Sequence, residues 1–192
     1  PRFRLSSLEP VELTDRLLDL YSDNRMCPHF HMSIQSAETN TLAQMKRKYT
    51  SAEVEKSLLQ ISTRYPQAFV GMDVIAGFPS ETQEQFEETY ARLAEMPWTR
   101  IHVFPYSERT GTKAAAMEIS VPWQERLTRA QKLRELSLHR FQSKALEQIG
   151  TIKKILLLKN ENNKAAKKNQ TLSAEGSTEL VPESAPVLKV FS

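Results

Sequence analysis

Cysteine is nearly missing: Cys27 is the one thiol in 192 residues. A lone thiol excludes an internal disulfide and any metal cluster held by this chain's cysteines alone. Long apolar runs are missing too. No stretch approaches the roughly eighteen residues that a membrane-spanning helix requires, and no charged-then-apolar leader with a small-residue cleavage site opens the chain. The expectation is a cytoplasmic protein with no membrane partner. An initiator methionine is also lacking, since the chain starts at Pro1 inside what reads as a strand. We expect a part of a longer protein.

Apolar residues make up 40% and charged residues 26% of the chain, the balance of a globular protein. The net charge of +3 is unevenly placed. Residues 1–148 carry nineteen basic and nineteen acidic side chains, whereas 149–192 carry seven lysines against four glutamates. A basic tail suits a polyanion, and it equally suits a solvated, partly disordered segment over 160–185.

The pattern organising the chain is Met72-Asp73-Val74-Ile75-Ala76-Gly77-Phe78-Pro79-Ser80-Glu81-Thr82. Its apolar run reads as a strand covered on both faces. Gly77 and Pro79 end it, and Ser80 with Gln83 reads as a capping box opening a helix that runs to about Glu95. Phe86, Tyr90 and Leu93 then share that helix's inner face. Three further βα units surround this one. Arg2 to Leu8 reads as a strand before a helix with Leu13, Leu17 and Leu20 on one face. His29 to Ser36 leads to a short helix through Leu42 and Met45, then to a Thr50-capped helix with Val54, Leu58 and Ile61 inward. Arg100 to Phe104 precedes a polar loop and a long helix from about Trp123 to Glu147. Strand alternating with helix implies α/β architecture with a mainly parallel sheet, as a half-barrel or an open sheet whose exposed edge favours self-association. After Gly150, 152–158 and 185–191 read as strands of a small β-module.

In such sheets ligands sit at the carboxyl ends of the strands. Ser6, Ser7, Glu9, Gln35, Ser36, Gly77, Glu81, Tyr106, Ser107 and Arg109 gather there. Their hydroxyls, amide and guanidinium suit a ligand with ribose, amino and carboxylate groups, although loops are polar in any case. His29 and His31 face one side of a strand, as metal ligands or as packed, hydrogen-bonded side chains. Cys27 reads as a small buried residue. Met45-Lys46-Arg47-Lys48-Tyr49 is an anion clamp or a solvated loop.

Five blocks occur in the order and spacing of the radical S-adenosylmethionine methylthiotransferases, which the chain resembles over residues 2–135. They are Arg2-Phe3-Arg4-Leu5-Ser6-Ser7-Leu8-Glu9-Pro10, Cys27 to Ser36, Met45 to Thr50, Asp73 to Thr82, and His102-Val103-Phe104-Pro105-Tyr106-Ser107-Glu108-Arg109-Thr110-Gly111-Thr112. The first and last look most like the branch that acts on threonylcarbamoyladenosine of tRNA. The branches acting on isopentenyladenosine or on a ribosomal protein are the alternatives, as is a non-catalytic RNA-binding protein. Ala37 and Ser80 depart from the pattern, standing where the family usually has glycine.

The resemblance implies a partial TIM-type barrel, with four βα repeats of a six-stranded radical SAM barrel over 1–135. A linker helix over 136–148 and a partial TRAM-like RNA-binding module over 149–192 would follow. It implies S-adenosyl-L-methionine as cofactor, with Gln35, Ser36, Arg47, Ile75 and Gly77 toward it, and tRNA as partner, with Tyr106, Arg109, Lys153 and Lys154 toward the RNA. Two 4Fe-4S clusters are implied for the intact enzyme, with ligands outside this chain. No metal ligand and no catalytic residue is then expected here, and the chain alone is expected to be inactive.

Overall fold

The structure, a computed structural model, describes residues 2–151. The expected tail module, its strands, the 160–185 segment and Lys153 and Lys154 lie outside the described residues.

Three parallel strands form the sheet: β1 (His29–Gln35), β2 (Phe69–Ala76) and β3 (Arg100–Pro105), in the order β1-β2-β3. Their side chains alternate. Phe30, Met32, Ile34, Val70, Met72, Val74, Ala76, Ile101 and Val103 are buried on one face. The opposite face carries His29, His31, Ser33 and Gln35, then Asp73 and Ile75, then Arg100, His102 and Phe104, all partly or fully exposed. β2 is therefore not covered on both faces, because polar Asp73 interrupts its apolar run on the open side.

The fourth strand expected over Arg2–Leu8 is an extended segment that meets its neighbours at two isolated bridges, Phe3 with Met26 and Leu8 with Met32. Ser7 at φ 59° takes the backbone out of strand geometry just before the second bridge. The next helix is also shorter than expected. Thr14 accepts from the Leu17 amide at 3.2 Å and caps α1 (Asp15–Asp19), between 3-10 turns at Pro10–Glu12 and Leu20–Ser22. This break places Leu13, Leu18 and Tyr21 in the core, while Leu17 is half-buried and Leu20 exposed.

Both edges of the sheet are occupied. The early segment lies along β1, where the Leu8 amide donates to His31 O and the Ser33 amide to Leu8 O. Along β3, Ser137 Oγ accepts from the Ile101 amide at 2.9 Å and donates to Ile101 O at 3.0 Å, while Arg134 donates to Val103 O at 3.1 Å. Self-association through an exposed edge therefore has no support, because the early segment's backbone on β1 and side chains of the last helix on β3 take groups a second strand would need.

α2 (Thr39–Gln44) follows β1, with Glu38 accepting from the Asn40 and Thr41 amides as its cap. α3 (Ser51–Arg64) begins at the expected Thr50–Glu53 capping box and buries Val54, Leu58 and Ile61. α4 (Gln83–Glu95) begins two residues later than expected, since Thr82 and Gln85 form the box and Ser80 does not cap. Ser80 sits at φ 67° and donates its amide to Ile119 O. Phe86, Thr89 and Leu93 are the buried face of α4, and Tyr90 is exposed. Thr89 faces inward because its hydroxyl pairs with Ser36 Oγ at 3.1 Å. α5 (Trp123–Leu146) buries Arg126, Arg129, Ala130, Leu133 and Ser137 against the sheet.

Phe86 is 2% exposed. Phe86→Ala is expected to cost about 3–5 kcal/mol through lost apolar burial and a residual cavity, whereas exposed Glu87→Ala should stay within about 0.5 kcal/mol. Urea titration of both variants checks this, and equal losses would mean the inward face is not the one described.

Candidate functional site at the strand ends

The turn after β2 is built around a buried carboxylate. Glu81 accepts from the Gly77 amide at 2.8 Å and from Arg129 Nη1 at 2.8 Å, while the same guanidinium nitrogen donates to Glu81 O at 2.9 Å. Burial pushes the Glu81 carboxyl above its ordinary range, opposed by the bonds from Arg129 and Gly77. Gly77 has φ 73°, and a Cβ there would lie 2.5 Å from Arg126 Cγ. A residue without a side chain is required at this point by α5 crossing behind the turn.

The loop after β3, residues 107–120, is held by Arg126. Its Nε donates to Val121 O at 2.7 Å, Nη1 to Tyr106 O at 2.9 Å, and Nη2 to Ser120 Oγ at 2.7 Å and Glu108 Oε1 at 2.5 Å. Glu108 is exposed, and the hydrogen bond from Arg126 holds its carboxyl below the usual range. Tyr106 is not a free stacking platform: its ring lies between the edge of Phe78 at 5.4 Å and the Arg126 guanidinium at 5.3 Å. Its hydroxyl is buried and unpartnered among the described residues. Arg109 stands exposed in this loop, without an ion pair among the described residues.

Of the residues expected after β1, Gln35 lies on the open face at φ 63°. Ser36 is turned inward, its oxygen taken by Thr89 and by the Glu38 amide, so it is not presented to a ligand. Arg47 donates through Nη1 to Glu9 Oε1 at 2.5 Å, which fixes the first segment to the loop after α2. Its Nε is buried without a partner among the described residues. The anion-clamp reading of 45–49 reduces to this one arginine, because Lys46 and Lys48 face solvent and the Tyr49 hydroxyl donates to Ser33 O at 2.8 Å. Burial raises Tyr49 to about 12.

The histidines are packed and hydrogen-bonded. His29 stacks on Phe69 at 4.8 Å and accepts from Arg4, and burial together with Arg4 lowers it to about 4. His31 Nδ1 accepts from the Ser7 amide at 3.2 Å, which fixes the proton of the neutral ring on Nε2, 3.1 Å from Asp73 Oδ1. His102 meets His31 edge-on at 5.9 Å. Among the described residues no three His, Cys, Asp or Glu side chains gather as a metal site requires, and no helix is long and apolar enough to cross a membrane. A groove of about 690 Å³ between α1 and α3 includes none of the strand-end residues.

Sequence reading missed Arg126 and Arg129. A signal was present: both fall at helical spacing with Ala130, Leu133 and Ser137, so two arginines interrupt an apolar stripe, where charge is rarely buried unless paired.

No family model matches the chain. Curated relatives do. Over 170 residues it is 41% identical to a protein of Rickettsia prowazekii named threonylcarbamoyladenosine tRNA methylthiotransferase, covering 88% of this chain and 39% of that one. A Bacillus subtilis protein of the same name is 39% identical over 71% of the chain, which spans 30% of it. A Bacillus licheniformis protein named tRNA-2-methylthio-N(6)-dimethylallyladenosine synthase is 30% identical over 94% of the chain, which spans 37% of it. The chain thus spans about a third of these relatives' lengths. Among solved structures, a radical SAM enzyme of Escherichia coli, coproporphyrinogen III oxidase, matches with a TM-score of 0.59 at 21% identity, over 72% of this chain and 32% of that one. That likeness shows a shared fold. The sequence blocks, the parallel sheet with its polar strand ends, and identities of this size over most of the chain have one common source: this chain belongs to the radical SAM tRNA methylthiotransferase family.

Proposed function

We propose that the protein containing this chain installs a methylthio group on a modified adenosine beside the tRNA anticodon, and that the adenosine is threonylcarbamoyladenosine. The 41% identity to the Rickettsia protein of that name carries this reading, against 36% and 30% for two relatives named for dimethylallyladenosine. The Leu5-Ser6-Ser7-Leu8-Glu9-Pro10 and His102 to Ser107 blocks favour the same branch.

S-adenosylmethionine, if held at these strand ends, would supply the chemistry of removing hydrogen from an unreactive C–H bond. Residues of this chain fit such a ligand. Arg47 has a buried, unsatisfied Nε, a donor suited to a carboxylate, and Gln35 and Ile75 stand on the open sheet face, offering an amide and an apolar surface. Gly77 supports the turn beside them, its amide committed to Glu81. An iron–sulfur cluster does not fit these residues, because Cys27 is the chain's one cysteine and clusters of this kind use several thiolates.

Arg109 is the residue we assign to the RNA. It is exposed beside Gly111 at φ 83°, and its planar fork suits the substrate's carboxylate or a flanking phosphate. Arg109→Lys keeps the charge and loses the fork. Modification of tRNA should fall about tenfold while S-adenosylmethionine cleavage without RNA changes little, the loss of one bidentate contact. Cleavage falling at an unchanged modification rate would put Arg109 on the cofactor side. The substrate itself is tested by offering the intact protein tRNA with threonylcarbamoyladenosine and tRNA with dimethylallyladenosine, then reading nucleoside masses. A methylthio product on the second alone would overturn the assignment.

A further inference from the structure

We infer that Arg126 is a positioning residue that fastens the Arg109-bearing loop to the turn after β2, with Gly77 as the gap its stem passes through. Three observations meet on this side chain. Its head is saturated: all three guanidinium nitrogens donate, to Val121 O, Tyr106 O, Ser120 Oγ and Glu108 Oε1. These acceptors stand at both ends of loop 107–120, so one planar group closes the loop at its base. Its stem is equally constrained. A Cβ on Gly77 would approach Arg126 Cγ, Cβ and Cα at 2.5, 3.0 and 3.2 Å, so turn and helix touch with no side chain between them. Its charge is 5% exposed and lies 5.3 Å from the Tyr106 ring centroid.

The loop is anchored to the same turn at a second point, where the Ser80 amide donates to Ile119 O at 2.9 Å. Between these anchors, 107–120 is largely exposed. Nothing in that stretch buries a large side chain to hold it in place, so the attachment of its ends decides where Arg109 points. A lysine at 126 would retain the charge but could not reach four acceptors in one plane.

Trypsin reads this attachment directly, because Arg109 and Lys113 are cleavage sites within the loop. In the intact protein, Arg126→Lys should speed cleavage at both by about tenfold or more, as opening becomes easier when charge-assisted hydrogen bonds are lost. Cleavage at Lys56 within α3 should not change. Unchanged loop sites, or a parallel rise at Lys56, would overturn the inference, the second by showing a general loss of fold. Gly77→Ala displaces the stem and should loosen the same two sites. Should Arg126→Lys not fold, Ser120→Ala removes a single acceptor and should still speed cleavage at Lys113 more than at Lys56, with equal rates counting against the inference. The consequence for RNA rests on the function proposed above: the tRNA KM should rise while kcat holds. A loosened loop with an unchanged KM would overturn that consequence, and a parental protein inactive on tRNA would overturn the proposed function while leaving the cleavage result intact.

Discussion

Removing Arg129 from the Arg129–Glu81 pair is expected to cost about 3–5 kcal/mol, because Glu81 is left as an uncompensated buried charge. Removing Glu81 should cost less, because Arg129 keeps its ion pair with Glu125 at 3.0 Å. The side chains are 6% and 1% exposed, so water cannot take over. Arg129 also donates to Glu81 O and lies 5.4 Å from the Phe86 ring, which makes it the link between α5, α4 and the β2 turn. Arg129→Met and Glu81→Gln should show these two losses in urea titration. The double variant should lose clearly less than the sum, since no unpaired buried charge remains. Additive losses would mean that the two groups are held independently. The pH dependence follows from the direction of the Glu81 shift. A carboxyl raised above 4.5 in the folded state binds protons there more readily than in the unfolded chain, so its contribution to stability declines as pH rises above 4.5. Arg129→Met removes an opposing influence and raises Glu81 further. Its penalty should therefore be smaller near pH 5 than near pH 8, and a penalty that grows on acidification would show that Glu81 stays ionised without its partner.

What could be read in the sequence was what short-range chemistry decides. The Thr50–Glu53 box and the Val54, Leu58, Ile61 stripe lie within a few turns of one helix, and both are present in α3. β1, β2 and β3 formed where β-branched and aromatic residues run between turn signals. Failures came where a partner distant in sequence decides. Thr89 displaces Tyr90 from the inner face of α4 because Ser36, 53 positions away, offers its hydroxyl. Arg129 is buried because Glu81, 48 positions away, awaits it. The two departures from family glycines also separate. Ser80 occupies φ 67°, which costs a residue with a Cβ about 1–2 kcal/mol, whereas Ala37 is not among the positive-φ residues and is simply buried in the core. The carboxyl ends of the strands were legible as a place where loops and polar groups meet, because parallel α/β topology puts loops there. Their individual contacts were not. Ser36 and Tyr106 were named for their chemistry, and the fold uses both side chains in packing.

Gly77→Ala should cost about 2–5 kcal/mol, the sum of two separable costs. The backbone sits at φ 73°, where an L side chain loses about 1–2 kcal/mol to contact with its own carbonyl. The new methyl would then lie 2.5 Å from Arg126 Cγ, and relieving such overpacking typically takes about 1–3 kcal/mol of displaced side chain and backbone. The neighbour cannot give way cheaply, since the Arg126 head is held by four acceptors and its stem is helix. The two costs come apart in an Arg126→Ala background, where the 2.5 Å clash with Cγ is gone, the approaches to Cβ and Cα at 3.0 and 3.2 Å call for shifts of only a few tenths of an ångström, and the φ cost remains. There Gly77→Ala should cost about 1–2 kcal/mol, measured as the difference between two urea midpoints at constant slope. An equal penalty in both backgrounds would show that α5 yields freely behind the turn. Gly77 would then be required by its backbone angle alone, and the close passage of Arg126 would not explain why this position lacks a side chain.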